Sequence, residues 1–297
     1  MSIESYLEDV AVVEHIPRMT YMKRHDFSGK NVVITGASRG IGKALARAFA
    51  DRGANLLLSS LPGEKGELDS LAGELKKTHG TAVDAFPVDL TDTDGPEQLH
   101  QKAGEMSGDI YALINNAGTV GYGNFWEIDW DMHQRTLLVN LFVPARLMHL
   151  FLPDMIKRGR GVVCNIGSVS AFQSDPFFTV YGATKAAVVS LSSGVNVELA
   201  NTDVTVSVIN PPFADTDLLR VPGFPRRLPW YGLGGGLKTP EWVAERTVRA
   251  LERGRTFYVP GLWPRFIHLV LIPISPRRLV NFLSRFLLRG SRNAGSY

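Results

Sequence analysis

The chain has 297 residues, of which 44% are hydrophobic and 21% are charged. These values are typical of a globular protein, and they exclude disordered and collagen-like chains. The single cysteine, Cys164, excludes an intrachain disulfide and fits a reducing compartment. Because Cys164 lies in an apolar run, we expect a buried structural thiol.

The beginning of the chain carries early acidic residues and no apolar run of signal-peptide length, so we predict no secretory signal. No stretch reaches the roughly 18 continuous apolar residues that a membrane-spanning helix needs. We therefore expect a cytoplasmic protein, with contact at a membrane surface as an open alternative.

Residues 30–260 alternate short apolar runs with longer segments that have helical spacing. This alternation predicts a parallel sheet covered by helices on both faces. We predict one Rossmann-like, doubly wound α/β domain over residues 29–260, with a sheet of about seven strands. The predicted strands are 31–35, 55–59, 82–88, 110–115, 161–167, 204–209 and 256–259.

Three segments depart from this alternation. Residues 1–28 precede the first strand and form a predicted N-terminal extension. Residues 212–240 contain five prolines and five glycines, which predicts a long substrate loop without a helix or strand of its own. Residues 261–297 form a predicted basic, amphipathic C-terminal tail.

A glycine-rich turn, 36–42, follows the first predicted strand and opens a predicted helix. Glycine permits a tight turn and close approach of a phosphate to the backbone. The N-terminus of the following helix offers free N–H groups and the positive end of its dipole to a pyrophosphate. The strand before the turn and the helix after it favour a dinucleotide site over a purely structural turn.

The spacing of this turn, TGxxxGxG, resembles that of the short-chain dehydrogenase/reductase family, in its single-domain branch. Three other motifs agree with the resemblance: the segment 115–118, which reads NNAG, Asp89 after the third strand, and a YxxxK pair formed by Tyr181 and Lys185. Ser168 precedes that pair by thirteen residues. The resemblance covers residues 30–260 and implies hydride transfer between a nicotinamide dinucleotide and a carbonyl or alcohol.

Tyr181 and Lys185 are four residues apart, so on a helix they share one face. A nearby ammonium favours the phenolate, so we expect Lys185 to lower the pKa of Tyr181 from its usual value of about 10. Tyr181 is then the predicted proton donor and acceptor, and Ser168 the predicted hydrogen-bond donor to the substrate oxygen. The resemblance adds Asn140 as a fourth catalytic residue that shapes the active-site helix and holds a water, and it implies that Lys185 also binds the nicotinamide ribose.

NAD-binding proteins usually carry an acid at the end of the second strand, where it binds the ribose 2′-OH. This chain has no acid there, because residues 58–61 are Leu-Ser-Ser-Leu. Arg39, with Lys65 as a second cation, is suited to a 2′-phosphate instead. We therefore predict NADP(H), with NAD(H) as the alternative. The predicted cofactor-binding residues are Gly36, Ser38, Arg39, Gly40, Ile41, Gly42, Ser60, Asp89, Leu90, Asn116, Ala117, Gly118, Tyr181, Lys185, Pro211 and Thr216. Family members usually carry Pro-Gly after the sixth strand, whereas this chain has Pro211-Pro212. We expect the second proline to stiffen the loop that leads to Thr216, the predicted contact of the nicotinamide carboxamide.

The segments around Tyr181 and after Pro212 are rich in apolar and aromatic residues. The predicted substrate contacts are Phe172, Phe178, Phe213 and Trp230. Such a lining predicts a bulky hydrophobic carbonyl or alcohol of lipid, steroid or ketoacyl type, although the same aromatics are also suited to packing on their own core. No cluster of His, Cys and acidic residues has metal-ligand spacing, so we predict no metal.

The tail carries eight arginines and no acid between residues 253 and 297. An apolar stripe at 279, 282, 283, 286 and 287 has helical spacing, with arginines off the stripe. This pattern suits an anionic membrane surface, and the alternative is a helix that covers the domain or a partner subunit. We predict no nucleic-acid binding, because no reading helix or aromatic platform accompanies the charge.

The family resemblance implies a homo-oligomer. Two other functional classes stay open at this stage: a catalytically silent nucleotide-binding sensor and a membrane-surface scaffold. A sensor needs only the glycine-rich turn, so the full set of Asn140, Ser168, Tyr181 and Lys185 favours an enzyme.

Overall fold

Seven parallel strands form one central sheet in the computed structural model, which describes residues 24–289. The sheet order is β3-β2-β1-β4-β5-β6-β7, which reverses direction between β1 and β4. The strands are β1 (Asn31–Thr35), β2 (Asn55–Ser60), β3 (Val83–Pro87), β4 (Ile110–Asn115), β5 (Gly161–Ile166), β6 (Val204–Ile209) and β7 (Phe257–Tyr258). The predicted doubly wound Rossmann-like fold of seven strands is confirmed.

Eight of the fourteen strand ends match the predicted ends, and the other six differ by one residue. The last strand loses half of its predicted length, from 256–259 to Phe257–Tyr258. β7 lies at the edge of the sheet and pairs only with β6, so fewer hydrogen bonds define its ends.

Helices flank the sheet on both sides and continue beyond its last strand. They are α1 (Gly40–Ala50), α2 (Lys65–His79), α3 (Gly95–Gly104), α4 (Trp130–Leu137), α5 (Val143–Arg158), α6 (Thr179–Glu198), α7 (Pro229–Leu233), α8 (Pro240–Glu252), α9 (Leu262–Phe266), α10 (Ile272–Ile274) and α11 (Arg277–Leu287). A π-helical segment, Leu138–Phe142, joins α4 to α5, and a second one, Ile267–Leu271, joins α9 to α10.

Two apolar cores lie on the two faces of the sheet. Successive strand residues point to opposite faces, so Val32 and Ile34 enter the core beneath α1 and α8. Val33, between them, enters the core beneath α3 and α5. Both faces are therefore buried, which explains why the strands read as continuous apolar runs. Cys164 in β5 is fully buried, and burial raises the pKa of its thiol, as expected of a structural cysteine.

Residues just before β1 also belong to this packing, although they fall in the predicted N-terminal extension. The side chain of Phe27 is 1% exposed and contacts Phe49 edge-to-face. The imidazole of His25 is hydrogen-bonded to the hydroxyl of Tyr111 at 2.8 Å. The predictions for residues 1–23 and 290–297 lie outside the described residues.

The helical stretch Trp130–Arg158 is long and apolar enough to cross a membrane by length and composition. Its second half, α5, packs Leu147, Phe151 and Met155 into the core beneath the sheet. The apolar residues of α5 are therefore those of a helix that packs on the sheet of the domain.

The segment 212–240 was predicted to contain no helix, and this prediction is wrong in part. It contains a single 3₁₀ turn, Asp217–Arg220, and the short helix α7. Pro229 is the first residue of α7, and its fixed φ suits the first position of a helix. The prolines predicted a segment that contains no helix, whereas Pro229 begins one.

Candidate active site

A cleft of about 560 Å³ lies at the carboxyl ends of the central strands. Ligands bind at this edge in open α/β sheets, where the order of the strands reverses. All of the predicted cofactor-binding residues except Gly42 line the cleft, as do Ser168, Phe178 and Phe213. Residues from seven separate parts of the chain therefore converge on one site.

Tyr181 and Lys185 lie on the first two turns of α6 and both face the cleft. The Lys185 ammonium lies 5.6 Å from the centroid of the Tyr181 ring and donates a 2.7 Å hydrogen bond to the carbonyl of Ile166. Ser168 follows β5, and its hydroxyl hydrogen-bonds the Tyr181 phenol. The same hydroxyl accepts a 3.1 Å hydrogen bond from the backbone N–H of Ser170, which orients it.

Burial dominates the protonation of this group. It raises the pKa of the Tyr181 phenol to about 12, and the hydrogen bond from Ser168 offsets only part of that increase. Burial also lowers the pKa of the Lys185 ammonium to about 8. Burial therefore shifts the pKa of Tyr181 in the direction opposite to the expected effect of Lys185. The phenol is protonated at neutral pH, as a proton donor to a carbonyl must be.

Asn140 does not line the cleft, but it is hydrogen-bonded to two segments that do. Its side-chain oxygen accepts from the backbone N–H of Thr119 at 2.9 Å, and its side-chain nitrogen donates to the carbonyl of the same residue. That nitrogen also lies 3.3 Å from the Thr184 hydroxyl on α6. Asn140 sits in the π-helical segment Leu138–Phe142, which turns this side chain between α6 and the residues after β4.

The glycine-rich turn fits the phosphates of a dinucleotide. Gly36 and Gly40 both have positive φ, and a Cβ on Gly36 would lie 2.9 Å from the Cα of Ala117. A Cβ on Gly42 would lie 2.0 Å from the carbonyl oxygen of Gly36, so Gly42 closes the turn rather than lining the cleft. The N-terminus of α1 has no side-chain cap, which leaves its first N–H groups free for a phosphate.

The family model described as short chain dehydrogenase matches residues 30–222. The chain belongs to the short-chain dehydrogenase family. Among similar curated proteins, the ketoacyl reductase HetN of Nostoc sp. is 33% identical over 229 residues, which are 77% of this chain and 77% of HetN. Membership makes this protein an oxidoreductase of an NAD(P)-dependent family.

Two solved structures are similar to this protein in three dimensions as well as in sequence. A short-chain dehydrogenase from Sphingobium yanoikuyae in complex with NADPH has a TM-score of 0.73 at 29% identity, over 90% of this chain and 98% of that one. A short-chain dehydrogenase/reductase from Burkholderia phymatum in complex with NAD has a TM-score of 0.73 at 26% identity, over 90% and 99%. The two neighbours hold different nicotinamide cofactors, so the likeness supports the NAD(P) class as a whole.

In this short-chain dehydrogenase, a carboxylate that the sequence analysis missed lies at the end of β2. Glu64 follows β2 by four residues and forms an ion pair with Arg39 at the mouth of the glycine-rich turn. The hydroxyls of Ser38 and Ser60 both donate to the same carboxylate. These hydrogen bonds and the positive charge of Arg39 hold the pKa of Glu64 below its usual value despite burial. The short 3₁₀ turn Pro62–Glu64 brings this acid back toward the strand end.

Asp89 lies where the adenine end of the dinucleotide is expected, and its carboxylate is held by its neighbours. The backbone N–H and the hydroxyl of Thr91 donate to one carboxylate oxygen, and Arg135 from α4 lies 3.2 Å from the other. These hydrogen bonds and the Arg135 charge lower the pKa of Asp89, so it remains an acceptor.

An apolar wall, against which Tyr181 packs, lines part of the cleft. Its residues come from the segments after β4 and β6 and from the start of α6: Val120, Phe178, Phe213, Leu218, Leu219, Val221 and Phe224. Within residues 211–224, which form most of this wall, the one cationic side chain is Arg220. It forms ion pairs with Asp215 and Asp217, which offset its charge. The wall is suited to an apolar group beside the reacting carbonyl.

Two of the four predicted substrate contacts, Phe172 and Trp230, do not line the cleft. Phe172 packs against Phe257 and His268, and Trp230 packs against the same imidazole at 5.7 Å between ring centroids. Both residues therefore support the C-terminal segment rather than line the cleft. His268 is buried among these rings, and burial lowers its pKa to about 4.

A second acid near the reacting groups was also missed by the sequence analysis. Asp175 lies in the loop before α6, is 3% exposed, and is hydrogen-bonded by Ser170 and Gln173. Burial raises its pKa to about 7, and its charge when ionised raises the pKa of Tyr181. A lone acid in a loop has no spacing that would have marked it in the sequence.

Proposed function

We propose that this short-chain dehydrogenase reduces a bulky hydrophobic ketone to an alcohol, with NADP(H) as its cofactor. The observation that carries the proposal is that the protonated Tyr181 phenol lines one cleft together with the glycine-rich turn and the apolar wall. The ketoacyl reductase named among its relatives supports a substrate of this class. A silent sensor does not need this arrangement of Ser168, Tyr181 and Lys185.

The catalytic roles follow from the geometry of the three side chains. Bound NADPH supplies a hydride to the carbonyl carbon. The hydroxyls of Ser168 and Tyr181 hydrogen-bond the carbonyl oxygen, and Tyr181 donates its proton to that oxygen, so that C=O becomes CH–OH. The ammonium of Lys185 stabilises the phenolate that the proton leaves behind, because it lies 5.6 Å from the ring centroid. Asn140 acts as a positioning residue through Thr119 and Thr184.

The preference for NADP(H) rests on Arg39, the cation at the mouth of the glycine-rich turn. Its side chain is 59% exposed and pairs with Glu64, so it can exchange that carboxylate for a ribose 2′-phosphate without a large desolvation cost. Glu64 then opposes the phosphate, since like charges repel, and its hydrogen bonds to Ser38 and Ser60 hold it in place.

Substitution of these two residues should change the cofactor preference in opposite directions. Arg39→Ala should lower kcat/KM for NADPH by roughly 10- to 100-fold, because one charge-assisted hydrogen bond is lost, and should change kcat/KM for NADH far less. Glu64→Gln should raise kcat/KM for NADPH, because an amide keeps hydrogen-bonding capacity and removes the negative charge. Steady-state kinetics at fixed ketone concentration measures both.

Arg47→Ala is the matched control, since Arg47 lies on α1, the helix that Arg39 precedes, and pairs with Glu74 outside the cleft lining. It should leave the NADPH-to-NADH ratio unchanged. A higher kcat/KM with NADH in the unmodified protein would overturn the NADP(H) proposal.

The proposed substrate class is tested by a panel of ketones of increasing chain length and ring number. Oxidation of NADPH and NADH is followed by absorbance with each ketone. Turnover should rise with the apolar size of the ketone until the cleft is filled. Faster turnover of small polar carbonyls than of every bulky ketone would contradict the proposal.

A further inference from the structure

The C-terminal helices expose far more large apolar side chains per residue than the rest of the described chain. Of the large hydrophobic side chains that are exposed in residues 24–289, half lie between residues 262 and 286. Leu262 is 83% exposed, Phe282 is 70% exposed, and Phe286 is 67% exposed. We call the outward surface of residues 262–286 the C-terminal apolar face. A monomeric soluble domain rarely exposes a continuous apolar patch of this kind.

The first part of this face is a helix that is apolar on both sides. The continuous helical stretch Leu262–Ile274 packs Pro264, Ile267 and His268 against the domain. Phe266 and Ile274 remain exposed on its outer side. A helix that is apolar all round is normally buried on all sides, so the outer side of this one lacks a covering surface among residues 24–289. Its length is too short to span a bilayer.

The second part of the face is α11, which is strongly amphipathic but turned outward. Its buried residues are Ser284 and Leu287. The apolar residues Leu279, Phe282 and Phe286 point away from the domain. The prediction that the apolar stripe is a helix is confirmed, but only one of its members, Leu287, is covered by the domain.

Contacts at the end of α11 hold this helix beside the active-site cleft. Leu288 is 2% exposed and packs in one cluster with Phe178 and Phe224, which line the cleft. The Tyr122 hydroxyl donates a 2.8 Å hydrogen bond to the Leu288 carbonyl. The end of α11 therefore packs against residues of the apolar wall of the active site.

The charge around this face is of one sign. Arg277, Arg278, Arg285 and Arg289 are exposed on or beside α11, and no acid occurs from residue 253 to residue 297. Exposed aromatic and aliphatic residues bordered by arginines match the interface of an anionic bilayer, which takes the apolar side chains below its headgroups and the arginines among its phosphates. A second copy of the chain would place arginines against arginines across a two-fold interface, which disfavours self-association.

We propose that the C-terminal apolar face docks on the surface of an anionic lipid bilayer, with Leu262–Ile274 and α11 lying in the plane of the interface. Docking leaves the cleft next to the bilayer, because Leu288 joins α11 to the cleft residues Phe178 and Phe224. The docking itself does not depend on the proposed reaction.

Sedimentation with vesicles tests this proposal on the full chain. The probes are vesicles of phosphatidylcholine alone and vesicles of phosphatidylcholine with phosphatidylglycerol. The protein should bind the anionic vesicles more tightly, and binding should weaken as salt is added. The double variants Phe282→Ser with Phe286→Ser, and Arg277→Gln with Arg278→Gln, should each weaken binding by roughly tenfold or more, because apolar insertion and phosphate attraction are both needed.

Trp126→Ser with Val197→Ser is the matched control, since both side chains are at least as exposed as Phe282 but belong to segments outside residues 262–286. Its binding should equal that of the unmodified protein. Thermal unfolding of every variant checks that the domain remains folded. The proposal is overturned if the unmodified protein stays in solution with both vesicle types or if the control loses as much binding as the Phe variant. It is also overturned if the Phe variant converts a dimer to a monomer while neither form binds vesicles.

Discussion

Replacement of Tyr181 with Phe should lower kcat/KM for ketone reduction by roughly 10²- to 10⁴-fold, the usual contribution of a positioned general acid. The substitution removes the one hydroxyl that can give its proton to the carbonyl oxygen beside Ser168. It keeps the aromatic ring, so the packing of Tyr181 against Phe178 should survive. Steady-state kinetics measures the loss, and cofactor binding followed by nicotinamide fluorescence should change little.

Tyr231→Phe is the matched control for this prediction. Tyr231 packs in the same aromatic cluster, against Phe213, but does not line the cleft. Its loss of a hydroxyl should leave kcat/KM within about twofold of the unmodified enzyme, in the range of surface or packing effects below 0.5 kcal/mol. Turnover by Tyr181→Phe at the rate of the control would show that another group supplies the proton.

Replacement of Asp175 with Asn should stabilise the protein above neutral pH and leave it nearly unchanged in acid. Burial raises the pKa of Asp175 to about 7, from an ordinary value of 3.8. Between these values the folded protein holds a proton that the unfolded chain releases, so the folded state loses stability as pH rises through this window. Three pKa units correspond to about 4 kcal/mol, which is the upper limit for the loss.

Chemical denaturation at pH 4.5, 6 and 8, with the free energy of unfolding compared at each pH, tests this prediction. The advantage of Asp175→Asn over the unmodified protein should grow from acid to base. Asp92→Asn is the control, because Asp92 is exposed and its substitution should have one small effect at all three pH values. An equal effect of Asp175→Asn at every pH would show that Asp175 does not titrate in this window.

Much of the fold and the reacting groups could be predicted because their signals are local. A buried parallel strand is a short apolar run, and Gly36 and Gly40 need positive φ within a few residues of β1. Tyr181 and Lys185 share a helix face through their spacing alone. The family motifs then supplied the order in which these local features occur along the chain.

The errors arose where the environment comes from distant residues. Phe172 and Trp230 were assigned to the substrate site from their residue type. In the structure both rings pack against the buried imidazole of His268, which lies in the C-terminal segment. Glu64 was missed because an acid was sought at the last positions of β2, whereas a short turn returns this carboxylate to Ser38 and Ser60.

The sequence by itself determined the doubly wound sheet, the glycine-rich turn and the placement of Tyr181 and Lys185 on one helix face, because each depends on residues within a few turns of one another. The tertiary structure decided the pKa of the Tyr181 phenol, because burial raises it to about 12. It also decided which apolar residues face the cleft and which face outward. That distinction depends on contacts such as the one between Tyr122 and Leu288, which are 166 residues apart and meet only when the chain is folded.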